Sequence, residues 1–473
     1  MTQTITIDPV TRLEGHGKIT IQLNSQGEVE DAHFHVTQVR GFEKFSEGRP
    51  FYEMPSLTAR ICGICPVSHM LASAKACEAI MSVRIPHTAA QLRRMLNLAQ
   101  LVQSHALSFF HLSSPDLLLG MESDPKARNI FGVAAARPDL GLAGIGLRRF
   151  GQHIIELLGT KRIHTGWVVP GGVTEPLAPA HRDEILAMLP EAYANLKLAL
   201  TVYKQIAGTF KPEIEVFANF PSNYMGLINE DESIEFTDGA LRLIDPQGAI
   251  IEDGISASRF TEVIGEAVEN YSYTKFVYYK PLGYPQGSYR VGPLPRLNIV
   301  KSMGTPQADK ELAEFKQLSS GPVESSFHYH HARLVEALYG IEKIEEILAD
   351  PLILDKHVRA TAGVNRLEGA GQIEAPRGTL NHHYKVDENG KITWASLVVA
   401  TGHNNNAMNR GVLQSAKAYV KDGKFTPGAL NRIEAVIRAF DPFLSCSTHA
   451  FGQMPLALTL VNTDGEVVDR VVR

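Results

Sequence analysis

Two cysteines three residues apart, Cys62 and Cys65, stand in the stretch Arg60-Ile61-Cys62-Gly63-Ile64-Cys65-Pro66-Val67-Ser68-His69. His69 follows the second cysteine by four residues. Thiolates at this spacing can grip one transition metal or bridge two, and a neutral imidazole nearby can ligate or orient. The same spacing also serves a redox pair, half a zinc site or two buried cysteines. A third cysteine, Cys446, lies near the other end in Asp441-Pro442-Phe443-Leu444-Ser445-Cys446-Ser447-Thr448-His449. The fourth, Cys77, falls at helical spacing in an alanine-rich segment and reads as a small buried hydrophobe.

The chain has 473 residues, enough for a large core. Its four cysteines are too few for a disulfide framework. A net charge of −5, with 44% apolar and 21% charged residues, describes an ordinary globular chain and argues against nucleic acid or anionic membrane as a partner. The N-terminus lacks a basic region followed by an apolar run, and no uninterrupted apolar stretch reaches the ~20 residues of a membrane helix. A cytoplasmic protein without a membrane span is expected.

Several elements must position these residues. Lys18–Leu23 and Val29–Val39 alternate like strands about an Asn24–Gly27 turn. Helical periodicity covers 56–82, with the cysteine pair in its first turns, then 87–112, 139–159, 178–207 and 328–349. Residues 233–255 read as a β-rich insertion and 270–300 as loop and short strand. Beyond 366 come Glu374-Ala375-Pro376-Arg377-Gly378, His382-His383 and an asparagine-rich stretch at 401–409. The last residues suggest a hairpin, 455–461 and 466–473, turning at Asn462-Thr463-Asp464-Gly465.

With both ends in view, the chain resembles the large subunit of nickel–iron hydrogenases. It is similar to the soluble, bidirectional, NAD-linked (Hox-type) group. RLEGH at 12–16, RGFE at 40–43, RICGICPVSH at 60–69, HLSSPDLL at 111–118, EAPRG at 374–378, TGHNNNAMN at 401–409 and the final Asp-Pro…Cys…His motif match in order and separation. The resemblance implies an α+β fold: a large helical core bundle with an N-terminal β-hairpin and β-rich excursions. It implies one catalytic domain over 1–449, with an N-terminal β region to about 54, a β-rich insertion at about 230–300, and a 450–473 extension that is removed on maturation.

In that family four thiolates hold nickel and iron, and the iron carries carbon monoxide and cyanide. The resemblance makes Cys62 a terminal nickel ligand and Cys65 and Cys446 bridging ligands. The family has cysteine or selenocysteine where this chain has Phe443. Phenylalanine offers no donor atom. A chain that binds its binuclear centre poorly or not at all is expected, as an unprocessed precursor or an impaired form.

The resemblance further implies roles for other residues. Glu14 would be the first proton relay; its bland reading is a carboxylate paired with Arg12 or solvent. Arg377 would hang over the bridging site, held by Asp116 and Asp441, with Pro376 completing the canopy; these also read as a structural ion network. His69 would hydrogen-bond a bridging thiolate. Glu43 and His449 would be ligands of a magnesium ion. His16, His33, His35, His111, His382, His383 and His403 read as core or surface histidines. Substrates would be H2 and protons. Cys77 alone cannot hold an iron–sulfur cluster, so a heteromultimer is implied, in which flavin- and NAD-binding diaphorase subunits join a cluster-bearing small subunit. A maturation chaperone and a C-terminal protease are implied too. Two readings of other classes stay open. One is a non-catalytic scaffold related to the quinone-proximal subunit of respiratory complex I. The other is a zinc site on Cys62, Cys65, Cys446 and His69.

Overall fold

The computed structural model describes residues 3–421, 423–449, 457–461 and 467–472. Strands Gln3–Ile7, Gly17–Leu23 and Val29–Val36 form an antiparallel meander. Period-two alternation buries Ile5, Ile19, Ile21, Leu23, Phe34 and Val36 on one face. Asn24 closes the turn by accepting from the amides of Gln26 and Glu28, both at 2.9 Å. The third strand stops at Val36, three residues before the expected end.

The helical centre comprises Pro66–Met81, His87–Ala106, Pro138–Gly159, Pro179–Ala207 and Tyr329–Ala349. His87–Ala106 runs on through a widened π turn, Leu107–Ser113, into Ser114–Leu119. Helices pack closely where glycine permits. A Cβ on Gly151 would lie 2.2 Å from the Ala99 carbonyl. By length and composition Pro179–Val216 could cross a membrane, against the expectation that no stretch could. Its pattern is that of an amphipathic bundle helix. Ile185, Leu189, Ala192, Leu196 and Ala199 are buried, while Asp183, Glu184, Glu191, Lys197 and Lys204 are exposed.

The cysteine pair does not lie in a helix. A short 3-10 turn, Ala59–Ile61, ends before it, Cys62 is extended, and Cys65 is the residue capping Pro66–Met81. Pro66 explains this: it disfavours helical backbone at Cys65 and is well suited to the first helical position.

A second sheet orders Tyr289–Arg290, Asn223–Ile228, Ala240–Ile244 and Ile250–Ile255. Residues 270–300 also contain a helix, Pro293–Ile299. A third sheet joins Glu368–Ala375, Gly378–Val386 and Ile392–Val398. Its first strand lies directly on helix Pro66–Met81, because a Cβ on Gly371 would meet the Ala72 carbonyl at 2.2 Å. Ala375 pairs with Gly378, so Pro376-Arg377 is a two-residue turn aimed by that contact.

Helices Ala400–Tyr419 and Pro427–Phe440 complete the core. One buried apolar cluster runs from Ile5 to Cys446. The strands Ala457–Val461 and Val467–Val472 form a two-stranded antiparallel sheet of their own. The expected turn at 462–465 lies outside the described residues.

Candidate metal centre

Two arms meet at the site. The N-terminal arm is the loop at 61–65, and side chains from behind pin its backbone. Arg40 Nη1 donates to the Ile61 carbonyl at 2.6 Å and Gln103 Nε2 to that of Ile64 at 3.0 Å. His164 Nε2 lies 3.0 Å from the Cys62 carbonyl. Gln100 Oε1 accepts from the Val67 amide at 2.8 Å. Within the loop, the amides of Ile64 and Cys65 point at Cys62 Sγ at 3.3 and 3.2 Å.

The C-terminal arm follows helix Pro427–Phe440. Asp441 takes the left-handed conformation, φ 56°, which turns the chain back sharply. Phe443 is then clamped by Thr401, whose hydroxyl lies 3.1 Å from its amide and 3.2 Å from its carbonyl. Leu444 donates its amide to the Glu14 carbonyl at 3.2 Å. Thr448 O accepts from the amides of Arg40 and Gly41 at 2.9 and 3.2 Å. These ties carry Cys446 across the molecule.

The Sγ atoms of Cys62, Cys65 and Cys446 all lie within 4.8 Å of one another, and all three residues are buried. Cys65 Sγ and Cys446 Sγ are 3.9 Å apart. Burial opposes ionisation of Cys62, but hydrogen bonds from Cys446, from the Cys65 thiol and from the Cys65 amide hold it well below the ordinary thiol range. Burial and the neighbouring sulfurs push Cys446 up.

Arg377 stands at the hairpin tip, 4% exposed. Its Nη2 is 2.7 Å from Asp441 Oδ2, and its Nη1 donates to Ser104 Oγ at 2.9 Å. Its guanidinium carbon sits 3.2 Å from the centroid of the Phe443 ring, a face-on cation–π contact. Burial raises the Asp441 carboxyl, against the pull of Arg377 and Arg333.

Asp116 does not reach Arg377. Its oxygens are engaged by Arg12 Nη2 at 2.5 Å, Arg438 Nε at 3.0 Å and Asn431 Nδ2 at 3.0 Å. Burial works against its charge, yet Arg438 and Arg12 hold it below the ordinary carboxylate range. Arg12 is thereby taken, and Glu14 pairs instead with Ser445, through its hydroxyl and through its amide at 3.2 Å. Burial raises the Glu14 carboxyl. Pro376 offers its carbonyl to Arg296 Nη2 at 3.1 Å, part of a buried network with Glu336 and Glu374.

His69 Nδ1 meets His382 Nε2 at 3.2 Å, and His382 Nδ1 meets the Tyr384 hydroxyl at 2.7 Å. Among the described residues, no imidazole or carboxylate joins the three sulfurs within that 4.8 Å. The four-ligand zinc set with His69 is therefore not assembled. Burial lowers His69 to about 4. Glu43 Oε1 accepts from the Leu397 amide at 2.8 Å, and burial raises its carboxyl to about 7. His449 packs edge-on against Phe42 at 5.6 Å, and burial lowers its imidazole to about 3.

The sequence reading missed Arg333, His164 and the His382–Tyr384 pair. Arg333 is fully buried, its guanidinium over the Tyr329 ring and without a hydrogen-bond partner among the described residues, and its charge acts on Asp441. Only its place on the inner face of Tyr329–Ala349, at core spacing with Tyr329 and Ala337, hints at this.

The donors fit three of the four thiolate positions of a nickel–iron centre. Phe443, 1% exposed and without a lone pair, does not fit the fourth.

A helical α+β chain that joins three cysteines from distant segments in one buried cluster beside a guanidinium has the donor set of a thiolate metal site. The nickel-dependent hydrogenase model matches residues 40–127 and 247–449, and a HoxL-like model matches 4–39. The chain belongs to the nickel-dependent hydrogenase family. It is 40% identical to the NAD-reducing hydrogenase HoxS subunit beta of Cupriavidus necator, over the full length of both chains. It is 41% identical to a subunit of the F420-non-reducing hydrogenase vhc of Methanococcus voltae, covering 96% of this chain and 97% of that one. A crystal structure of an NAD+-reducing [NiFe]-hydrogenase in the H2-reduced state superposes with a TM-score of 0.92 at 42% identity, over 94% of this chain and 99% of the other. A nickel–iron–selenium hydrogenase of Desulfovibrio vulgaris Hildenborough shares the fold, with a TM-score of 0.77 at 24% identity over 95% and 100% of the two chains.

Proposed function

We propose that this chain is the large subunit of an NAD-linked nickel–iron hydrogenase whose own centre is incomplete because Phe443 stands where the fourth thiolate belongs. The reaction class is reversible splitting of H2, with electrons leaving through a cluster-bearing small subunit to flavin- and NAD-binding partners in the cytoplasm. The observation that carries this is the meeting of Cys62, Cys65 and Cys446 beside Arg377. A nickel–iron pair with carbon monoxide and cyanide on iron would supply the hydride chemistry.

The protein's own residues supply the surroundings. Arg377, fixed by Asp441 and Ser104, is a preorganised cation beside the sulfurs. Glu14, its carboxyl raised by burial, accepts from the Ser445 hydroxyl and amide and so stands against the C-terminal arm as a group able to take up and pass on a proton. Asp116 anchors the arm instead of Arg377, by gripping Arg438 at the end of helix Pro427–Phe440. His69, backed by His382, is a positioning residue for the N-terminal sulfurs. Glu43 would serve a magnesium ion with a carboxylate oxygen, and His449, buried at the end of the C-terminal arm, would be its nitrogen ligand. The 450–473 extension would be removed by the C-terminal protease after nickel insertion by its chaperone.

Coexpression of Phe443→Cys with the maturation proteins and partner subunits tests the reading. Gain of H2-dependent NAD+ reduction and loss of residues 450–473 by mass are expected. Full hydrogen uptake by the unaltered chain would refute the impaired state.

A further inference from the structure

The three sulfurs form a site in their own right. They are buried, mutually within 4.8 Å, and free of disulfides. A metal about 2.3 Å from each of three sulfurs in a plane separates them by about 4.0 Å. Cys65 and Cys446 already stand 3.9 Å apart. Cys62 Sγ is met by the two amides of Ile64 and Cys65, an arrangement that stabilises negative charge on sulfur.

Among the described residues no imidazole or carboxylate lies within 4.8 Å of all three sulfurs. Glu14 is bound to Ser445, Asp441 faces Arg377, and His69 Nδ1 faces His382. Phe443 carries only a ring. Zinc(II) in structural sites is four-coordinate, and nickel in this family uses four thiolates. An all-sulfur set of three, joined by no imidazole or carboxylate among the described residues, suits a soft monovalent ion. Three thiolates and one monovalent cation leave two negative charges, and the fixed guanidinium of Arg377 offsets part of them.

We propose that Cys62, Cys65 and Cys446 bind one soft monovalent cation, copper(I), in trigonal three-thiolate coordination. Binding involves no change of oxidation state. The thiol protons leave to solvent as the three sulfurs take the ion. The assignment rests on this chain's sulfurs and not on the hydrogenase reading.

The test uses the full 473-residue chain, purified metal-free, reduced and anaerobic. Copper(I) is titrated against a chromophoric chelator, and zinc(II) and nickel(II) are run in parallel competitions. One copper(I) per chain is expected, with three sulfur and no nitrogen or oxygen neighbours by X-ray absorption, and tighter binding than either divalent ion. Cys62→Ser, Cys65→Ser and Cys446→Ser each lower copper(I) affinity by at least the roughly 100-fold that outer-sphere changes can reach. Cys77→Ser, whose thiol faces the Phe51 carbonyl at 3.1 Å, leaves it unchanged. Should a serine variant fail to fold, Phe443→Cys still decides: a fourth thiolate shifts preference toward the divalent ions. A nitrogen or oxygen neighbour on copper, zinc(II) binding as tightly as copper(I), or indifference to Cys446→Ser overturns the proposal. Phe443→Cys without nickel uptake from the maturation proteins counts against the hydrogenase reading alone.

Discussion

The two arms at the metal centre do the same job by different means. The N-terminal loop carries both its sulfurs and is held by side chains reaching in from the helices behind it, Gln100 and Gln103 above all. The C-terminal arm carries one sulfur and a phenyl ring, and its own backbone holds it, through Glu14, Thr401 and Arg40. The difference teaches that side chains of neighbouring helices place the N-terminal arm, whereas main-chain ties place the C-terminal one. That is why Phe443 is accommodated: the ring stacks on Arg377 and the backbone ties of the arm remain.

The comparison breaks most severely at Asp441. Asparagine tolerates the left-handed backbone there, so Asp441→Asn removes charge and little else. Arg377 and Arg333 then share a buried site without a carboxylate, at a cost of about 3–5 kcal/mol. Chemical denaturation should show this loss, and a loss under about 1 kcal/mol would mean that the arm does not need its acid.

Glu43 lies on the segment that joins the arms, beside the carbonyl ties of Thr448. Its carboxyl is raised from 4.5 to about 7. The folded state therefore binds this proton more tightly than the unfolded chain. The stability it lends is complete below pH 4.5 and is lost as pH rises through about 7. Each tenfold gain in proton affinity is worth about 1.4 kcal/mol, so the metal-free chain should lose on the order of 3 kcal/mol across that window. Glu43→Gln should flatten the profile, and millimolar magnesium should restore stability at high pH in the unaltered protein only. An unchanged slope in the variant would place the titration elsewhere.

Two smaller changes contrast the arms directly. Gln100→Leu leaves the buried Val67 amide of the N-terminal arm unpaired, at about 1–3 kcal/mol. Thr401→Val removes the hydroxyl between the amide and carbonyl of Phe443, at about 1 kcal/mol. Hydrogen exchange should report the first loss at 64–68 and the second at 443–446. Spread of either effect to the opposite arm would show the two to be one unit.

Type and spacing marked Cys62 and Cys65 as possible soft donors but left a redox pair or buried cysteines open, and only the family resemblance joined them to Cys446. Strand alternation at 18–23 and the long helices were legible from period. The helix Ala400–Tyr419 was not, because its asparagines look like a loop. Tertiary partners override that preference: Asn404 Oδ1 takes the Val291 amide, Asn405 Nδ2 the Thr274 carbonyl and Asn409 Oδ1 the Phe34 amide. The partner of Asp116 was illegible for a related reason. Motif order names the acids and arginines that gather, but which pairs with which depends on helix Pro427–Phe440 delivering Arg438 into reach. The pairing of His69 with His382 spans 313 residues, and local pattern carries no trace of it.

Nickel quantification of the unaltered chain and of Phe443→Cys, matured side by side, tests the central claim most directly. The account predicts one nickel per chain in the cysteine variant and essentially none in the parent. One nickel per chain in the parent would contradict it.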